Sequence, residues 1–268
     1  MLKVGIAGLG AIGMRVARGL DQGEIKGMRL AAVSAGDLER ARGRIADFNT
    51  PPMLVEAVDL AQHADIVIEC APKSVFVALA TATLKAGRIL MPLSCGQILE
   101  NMDLVGIAEE NGGQILIPTG AIVGLDLIRA MAVGEIHSVT LETRKPPSGL
   151  EGAPHLENNR ISVAGLTEPT QVFRGSAREA AIGFPANVNV AAALSLAGIG
   201  ANRTKVEVWA DPFIDRNMQT VKVISDSGEA EMGVRNIPSE ENPRTGKITA
   251  LSVVACLQRL TGSLVAGT

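Results

Sequence analysis

Through its first 120 residues the chain alternates short, continuously apolar runs with longer runs whose apolar residues recur every three or four positions. "LKVGIAG" (2–8) reads as a buried strand, and "AIGMRVARGL" (11–20) sets Ile12, Val16 and Leu20 on one helical face with arginines between. "MRLAAVSA" (28–35) predicts a second strand, and "DLERARGRIADF" (37–48) a helix with Asp37 placed to cap it. "ADIVIECAP" (64–72) predicts a third strand, and "KSVFVALATATLKAG" a helix ending at Gly87. "RILMPLS" (88–94) continues as strand, "LENMDLVGIAEENGG" (99–113) as a single helix and "QILIPTG" (114–120) as strand again. Strands alternating with helices at this interval predict a parallel sheet with helices on both faces.

The texture changes after residue 120. "HSVTLETRK" (137–145) and "TKVEVWADP" (204–212) alternate polar and apolar positions, as half-buried antiparallel strands do. "MQTVKVISDSGEAEMGVRNIP" (218–238) reads as a hairpin about "SDSG". The apolar "NVNVAAALSLAGIG" (187–200) predicts a helix, "LEGAPHLENN" a loop, and "ITALSVVACLQRL" (248–260) a last helix after the turn signal "ENPRTG".

Gly8-Leu9-Gly10-Ala11-Ile12-Gly13 is a G-x-G-x-x-G between the first strand and the first helix. The first glycine permits the tight turn, the second lets backbone approach a pyrophosphate, and the third lets helix pack on strand. Backbone N–H groups of Ala11 and Ile12, opening the helix, face the phosphates. The expected fold class is therefore α/β, with an N-terminal Rossmann dinucleotide-binding domain over 1–120. A second α/β domain with a largely antiparallel sheet follows over 121–242, and the helix of 243–268 packs back on the first domain.

In NAD-preferring proteins an acid ends the second strand and holds the adenosine ribose. Here Ser34 and Ala35 stand there and Asp37 caps the next helix, so a 2′-phosphate meets no repulsion and Ser34 or Arg40 is placed to contact it. The expected cofactor is NADP or NAD; the alternative, that Asp37 binds the ribose, stays open. Cys70, Ala71 and Pro72, at the carboxyl edge of the third strand, form a close-packed wall beside the nicotinamide ribose.

Composition narrows the function class. The net charge is −3 and aromatics make up 2% of the chain, with one Trp and no Tyr. Neither a basic footprint nor a stacking platform for nucleic acid is present. Cys70, Cys95 and Cys256 are odd in number and widely spaced, giving neither a disulfide framework nor metal-ligand spacing. The apolar run opening at residue 2 breaks at Gly8, too short for a signal peptide's apolar core, and no apolar stretch reaches membrane-spanning length. A soluble, cytoplasmic protein without metal is expected.

Several segments together resemble the L-aspartate dehydrogenase family: "GLGAIG" (8–13), "IPTGAIVGLD" (117–126), "TRKPP" (143–147), "FPANVNVAAALSLAGIG" (184–200), "ADPFIDRN" (210–217) and "NIPSEENPRTG" (236–246). Their order and spacing match over essentially the whole chain. The resemblance implies reversible NAD(P)-dependent oxidative deamination of L-aspartate, through iminosuccinate, to oxaloacetate and ammonia. It also implies a homodimer, a role for the imine in NAD biosynthesis, and cofactor contacts at Ala121 and Asn189. From the residues alone, Asn187 and Asn189 serve equally well as helix caps.

The departure lies at Gln219, where the family's N-x-H motif carries its catalytic histidine. Glutamine donates and accepts hydrogen bonds but takes up no proton near neutrality. Lys145, at a strand end, is placed either to meet a substrate carboxylate or simply to be solvated, with Arg144 on the opposite face. Of the three histidines, His63 and His137 read as surface residues, which leaves His155 as the substitute base. Three readings follow: an aspartate-type dehydrogenase that tolerates Gln219, a reductase of a different imine or oxo acid, or a cofactor-binding protein without catalysis.

Overall fold

The computed structural model describes residues 1–185, 188–240 and 245–267. It separates into two compact units, one comprising Met1–Gly120 with Thr249–Val265, the other spanning Ala121–Ile248.

In the first unit the elements run β1 (Leu2–Ala7), α1 (Ala11–Asp21), β2 (Met28–Ser34), α2 (Leu38–Arg44), β3 (Met53–Leu54), α3 (Leu60–His63), β4 (Ile66–Glu69), α4 (Lys73–Lys85), β5 (Ile89–Pro92), α5 (Cys95–Glu100), α6 (Asp103–Asn111) and β6 (Gln114–Ile115). All strand pairs are parallel, in the order β3-β2-β1-β4-β5-β6. This is the doubly wound order that places ligands beyond the carboxyl ends of the strands, between β1 and β4. The strands alternate between two cores, because successive side chains leave a strand on opposite faces. Val4, Ile6, Ile66 and Ile68 meet Val16 and Leu20 of α1 on one side; Ala7, Val67, Leu60 and Leu79 form the other. The last helix, α11 (Lys247–Thr261), belongs to the first of these cores. Val253 and Leu257, four residues apart and so on one helical face, are fully buried there.

Two expected elements differ. The helix over 99–113 is interrupted at Asn101, whose side chain donates to the Gln97 carbonyl at 2.8 Å and so competes with the backbone ladder. The strand over 114–120 shortens to Gln114–Ile115, with one further bond from Leu116 N to Leu90 O at 2.8 Å.

The second unit contains α7 (Leu125–Met131), β7 (Ile136–Lys145), α8 (Pro154–Asn159), β8 (Thr170–Ser176), α9 (Ala177–Gly183), α10 (Val188–Ala197), β9 (Lys205–Ala210), β10 (Met218–Ser225) and β11 (Gly228–Arg235). Its sheet is mixed, in the order β11-β10-β7-β9-β8, with β7 and β9 parallel and the other pairs antiparallel. The sheet is largely antiparallel, as expected, but residues 137–145 and 204–212, each antiparallel to its other neighbour, pair with each other in parallel. The long crossover between them, through α8, β8, α9 and α10, delivers β9 in the same direction as β7. Val139, Leu141, Val221 and Val223 share the buried face, where α7 and α10 pack. A Cβ on Gly198, just past α10, would stand 3.1 Å from Ile128 Cγ2, so glycine permits that close seating.

The segment around His155, expected as a loop, is helical. Pro154 at the first helical position starts α8, the buried Leu156 anchors it, and Arg160 closes it in the left-handed region at φ 53°.

Candidate active site

In the first unit, the turn after β1 has three glycines under three different constraints. Gly8 has φ +93°, and a Cβ there would lie 2.3 Å from the Cys70 carbonyl oxygen. A Cβ on Gly13 would lie 2.0 Å from the Gly8 carbonyl oxygen. Gly10 is the opposite case, with no described atom within 4 Å of its added Cβ. Crowding at Gly8 and Gly13 shapes the turn, while the open space at Gly10, at the N-terminus of α1, suits a phosphate that must approach backbone closely. The residues present thus fit a dinucleotide.

A buried carboxylate braces this edge. Glu69, fully buried at the end of β4, accepts from Ala71 N at 2.9 Å, Ser94 N at 3.0 Å and Ser94 Oγ at 3.1 Å. One side chain thereby ties the loops after β4 and β5, and the first of these presses the Cys70 carbonyl against Gly8. Burial raises the Glu69 pKa against the pull of these hydrogen bonds. The Cys70 and Cys95 thiols are pushed up by burial and by the Glu69 charge, Cys95 to about 12. Both therefore pack as neutral groups.

On the adenosine side, Ser34 is buried at the end of β2, and Asp37 accepts from Arg40 N at 2.9 Å as the cap of α2. The Arg44 guanidinium donates to the Leu9 carbonyl within the glycine turn.

In the second unit, Gln219 of β10 stands opposite Thr143 of β7, two residues from Lys145 on the same buried face. Lys145 is 7% exposed and Gln219 6%. Residues in this diagonal relation lie about 7–8 Å apart, within reach of long side chains. Lys145 has no carboxylate at ion-pair distance among the described residues, and burial alone pulls its pKa from 10.5 to about 8. Arg144 takes the other face, as expected, bonding Glu142 at 2.6 Å and Asp211 at 3.3 Å and lying over the Trp209 ring.

Asn236, also buried, fixes the orientation of Gln219. Its Nδ2 donates to the Ala121 carbonyl at 3.1 Å and to Gln219 Oε1. A carbonyl only accepts, so Asn236 must turn its NH2 towards Ala121, and Gln219 must in turn offer its oxygen to Asn236. Gln219 is left with Nε2 as its outward group, a donor without a partner among the described residues. Asn236 Oδ1 is sealed from solvent and has no hydrogen-bond partner among the described residues.

The other expected residues are not gathered here. The His155 ring packs on Phe173 and Phe184, with centroids 5.1 and 5.4 Å away, and its Nδ1 lies 3.3 Å from Asn159 Nδ2. No contact joins it to Gln219 or Lys145 among the described residues. Asn189 lies exposed in the first turn of α10 rather than before it, and Asn187 falls outside the described residues. Ala121 enters through its carbonyl, held by Asn236. Sequence reasoning missed Asn236 and Glu69. The available signals were an asparagine without a helix to cap in "NIPSEENPRTG" and an acid closing the wholly apolar "IVIE". Among the described residues no cluster of His, Cys, Asp or Glu is arranged to hold a metal ion, and no helix is long and apolar enough to cross a membrane.

The family described as "Aspartate dehydrogenase, C-terminal" matches residues 126–260, and that described as "Homoserine dehydrogenase, NAD binding domain" matches residues 8–118. L-aspartate dehydrogenase of Bradyrhizobium diazoefficiens is 48% identical over 267 residues, covering 100% of this chain and 94% of its own. L-aspartate dehydrogenase 3 of Bordetella bronchiseptica is 49% identical over 267 residues, covering 100% and 98%. In fold, the chain is similar to the crystal structure of aspartate dehydrogenase from Thermotoga maritima, with TM-score 0.76 and 23% identity over 100% of both chains.

Proposed function

The chain belongs to the aspartate dehydrogenase family, and on that premise we propose how its own residues carry out NAD(P)-dependent oxidation of L-aspartate to iminosuccinate and on to oxaloacetate and ammonia. The observation that carries this reading is the buried face holding Lys145 and Gln219, a cation and an N–H donor with no anion to satisfy them among the described residues. Buried charge without a partner is costly, and a dicarboxylate substrate supplies the missing partner.

Gly8, Gly10, Ala11, Ile12 and Gly13 would hold the phosphates of the dinucleotide against their backbone. Glu69, through Ala71 and Ser94, keeps the Cys70–Pro72 wall in place where it would flank the nicotinamide ribose. A bound nicotinamide supplies the acceptor for the hydride that leaves the substrate α-carbon. Gln219 orients a substrate oxygen through Nε2 but moves no proton. Ser34, with no acid ending β2, leaves room for the 2′-phosphate of NADP, and Asp37 is already engaged as a helix cap.

The finer assignments belong to the same proposal. The chain acts as a homodimer, supported by the half-exposed second face of the five-stranded sheet, where Thr140, Thr220 and Ile224 lie opposite the buried Leu141, Val221 and Val223. It works in a reducing, cytoplasmic compartment, supported by three free cysteines.

The test is oxidation of NADH and NADPH with oxaloacetate and ammonium, alongside pyruvate and 2-oxoglutarate. Consumption that requires both oxaloacetate and ammonium is expected. Turnover of another oxo acid in preference to oxaloacetate would favour the second reading, a reductase of a different imine, for which Gln219 in the histidine position is the one observation. Tight cofactor binding without any turnover would indicate a non-catalytic role.

A further inference from the structure

We propose that Lys145 is the proton carrier of this enzyme, taking over at the face of β7 the transfer that Gln219, on the neighbouring strand, is unable to make. The inference rests on the aspartate dehydrogenase reading above. Hydrolysis of the imine needs a group that gives and takes protons, and Gln219 is bound at Oε1 by Asn236 and has no titratable atom.

The second unit offers few alternatives. His137 begins β7 while Lys145 ends it, eight residues and about 26 Å away along the strand. His155 is packed edge-on to Phe173. Lys145 shares its face with Gln219 and is nine-tenths buried. The residues facing it are uncharged: Thr143 on its own strand, Gln219 on β10, Ala210 on β9 and Gly149 in the following turn. The nearby charges, Glu142, Arg144 and Asp211, bond one another on the opposite face. Burial is therefore what acts on the ammonium, bringing its pKa to about 8, where both protonation states are populated near neutrality.

The proton ledger closes without an added reactant. Neutral Nζ takes a proton from water as the water oxygen bonds to the iminium carbon and the C=N electron pair moves to nitrogen. The lysine ammonium then protonates the amine of this carbinolamine. Nζ next takes the hydroxyl proton as the C–N bond breaks, leaving oxaloacetate and ammonia, and the proton held on Nζ passes to solvent. Reductive amination runs the same steps backwards.

Substitution separates this role from simple attraction of a carboxylate. Lys145→Arg keeps the positive charge but does not titrate. Its KM for L-aspartate should stay within about threefold of the unaltered enzyme while kcat falls about 10²–10⁴-fold. The inflection near pH 8 in the unaltered enzyme's kcat/KM profile should also disappear. Lys145→Met should lose activity likewise and regain part of it in the oxidative direction on addition of small primary amines. An arginine variant that keeps kcat and the pH profile would overturn the proposal and leave aspartate dehydrogenase activity standing. If either variant fails to fold, an unaltered enzyme whose kcat/KM is flat between about pH 7 and 9 overturns it equally. Absence of turnover of aspartate or oxaloacetate by the unaltered protein would overturn both readings together.

Discussion

Replacing Lys145 with methionine should make the second unit more stable at neutral pH while removing activity. The lysine is buried without a countercharge among the described residues, and its pKa falls from 10.5 to about 8. That difference corresponds to about 3 kcal/mol of destabilisation at pH 7 from holding the ammonium in the folded state. The sign follows from proton binding. Between pH 8 and 10.5 the unfolded chain binds more protons at this site than the folded one, so the penalty is full below that range and fades as pH rises through it. Methionine has similar length and no charge, so it removes the penalty with little change in packing. Trp209, the only tryptophan, lies on β9 beside β7, so its fluorescence during urea unfolding reports on this unit. Lys145→Met should gain about 3 kcal/mol at pH 7 and under about 0.5 kcal/mol at pH 10.5. A loss of stability at pH 7, or the same gain at both pH values, would refute the reasoning, because burial of an uncompensated charge would then not describe this lysine.

Three further perturbations probe the rest of the site. Gly10→Ala should fold normally and bind NADPH at least ~10-fold more weakly in calorimetry, whereas Gly8→Ala, at φ +93° and against the Cys70 carbonyl, should lower the melting temperature itself. Asp37→Ala should cost about 1 kcal/mol in thermal unfolding through loss of the α2 cap; a selective loss of NADH affinity would instead mark Asp37 as the ribose ligand. Glu69→Leu strands the Ala71 and Ser94 N–H groups, each costing about 1–3 kcal/mol, and should weaken both thermal stability and cofactor binding.

Much of this arrangement was legible because it depends on local pattern. The apolar runs of β1, β2 and β4 and the glycine spacing after β1 are short-range signals, and so are the hairpin at Asp226–Ser227 and the alternation that sends Arg144 and Lys145 to opposite faces. What escaped depends on tertiary pairing. Burial of Lys145 is set by neighbouring strands and the turn at Gly149, not by its own segment, where a strand-end lysine reads as solvated. Asn236 meets Ala121 across 115 residues of sequence, and no local pattern announces that contact. His155 reads as part of a loop because the signal of Pro154 at a first helical position is weak beside the surrounding Gly, Glu and Asn residues.

The donor that Asn236 extends to position 219 also bears on any histidine placed there. A neutral imidazole carries its hydrogen on one ring nitrogen, and the other is an acceptor. The nitrogen that replaces Gln219 Oε1 would have to be the acceptor, so the outward nitrogen would bear the hydrogen. The residue across the strand thus selects the tautomer. A neutral histidine in this frame would offer its outward N–H as a hydrogen-bond donor to a substrate oxygen and would have no outward lone pair with which to abstract a proton. Whether a histidine at 219 could serve as a base would then be set partly at position 236, in a side chain that exchanges no proton of its own.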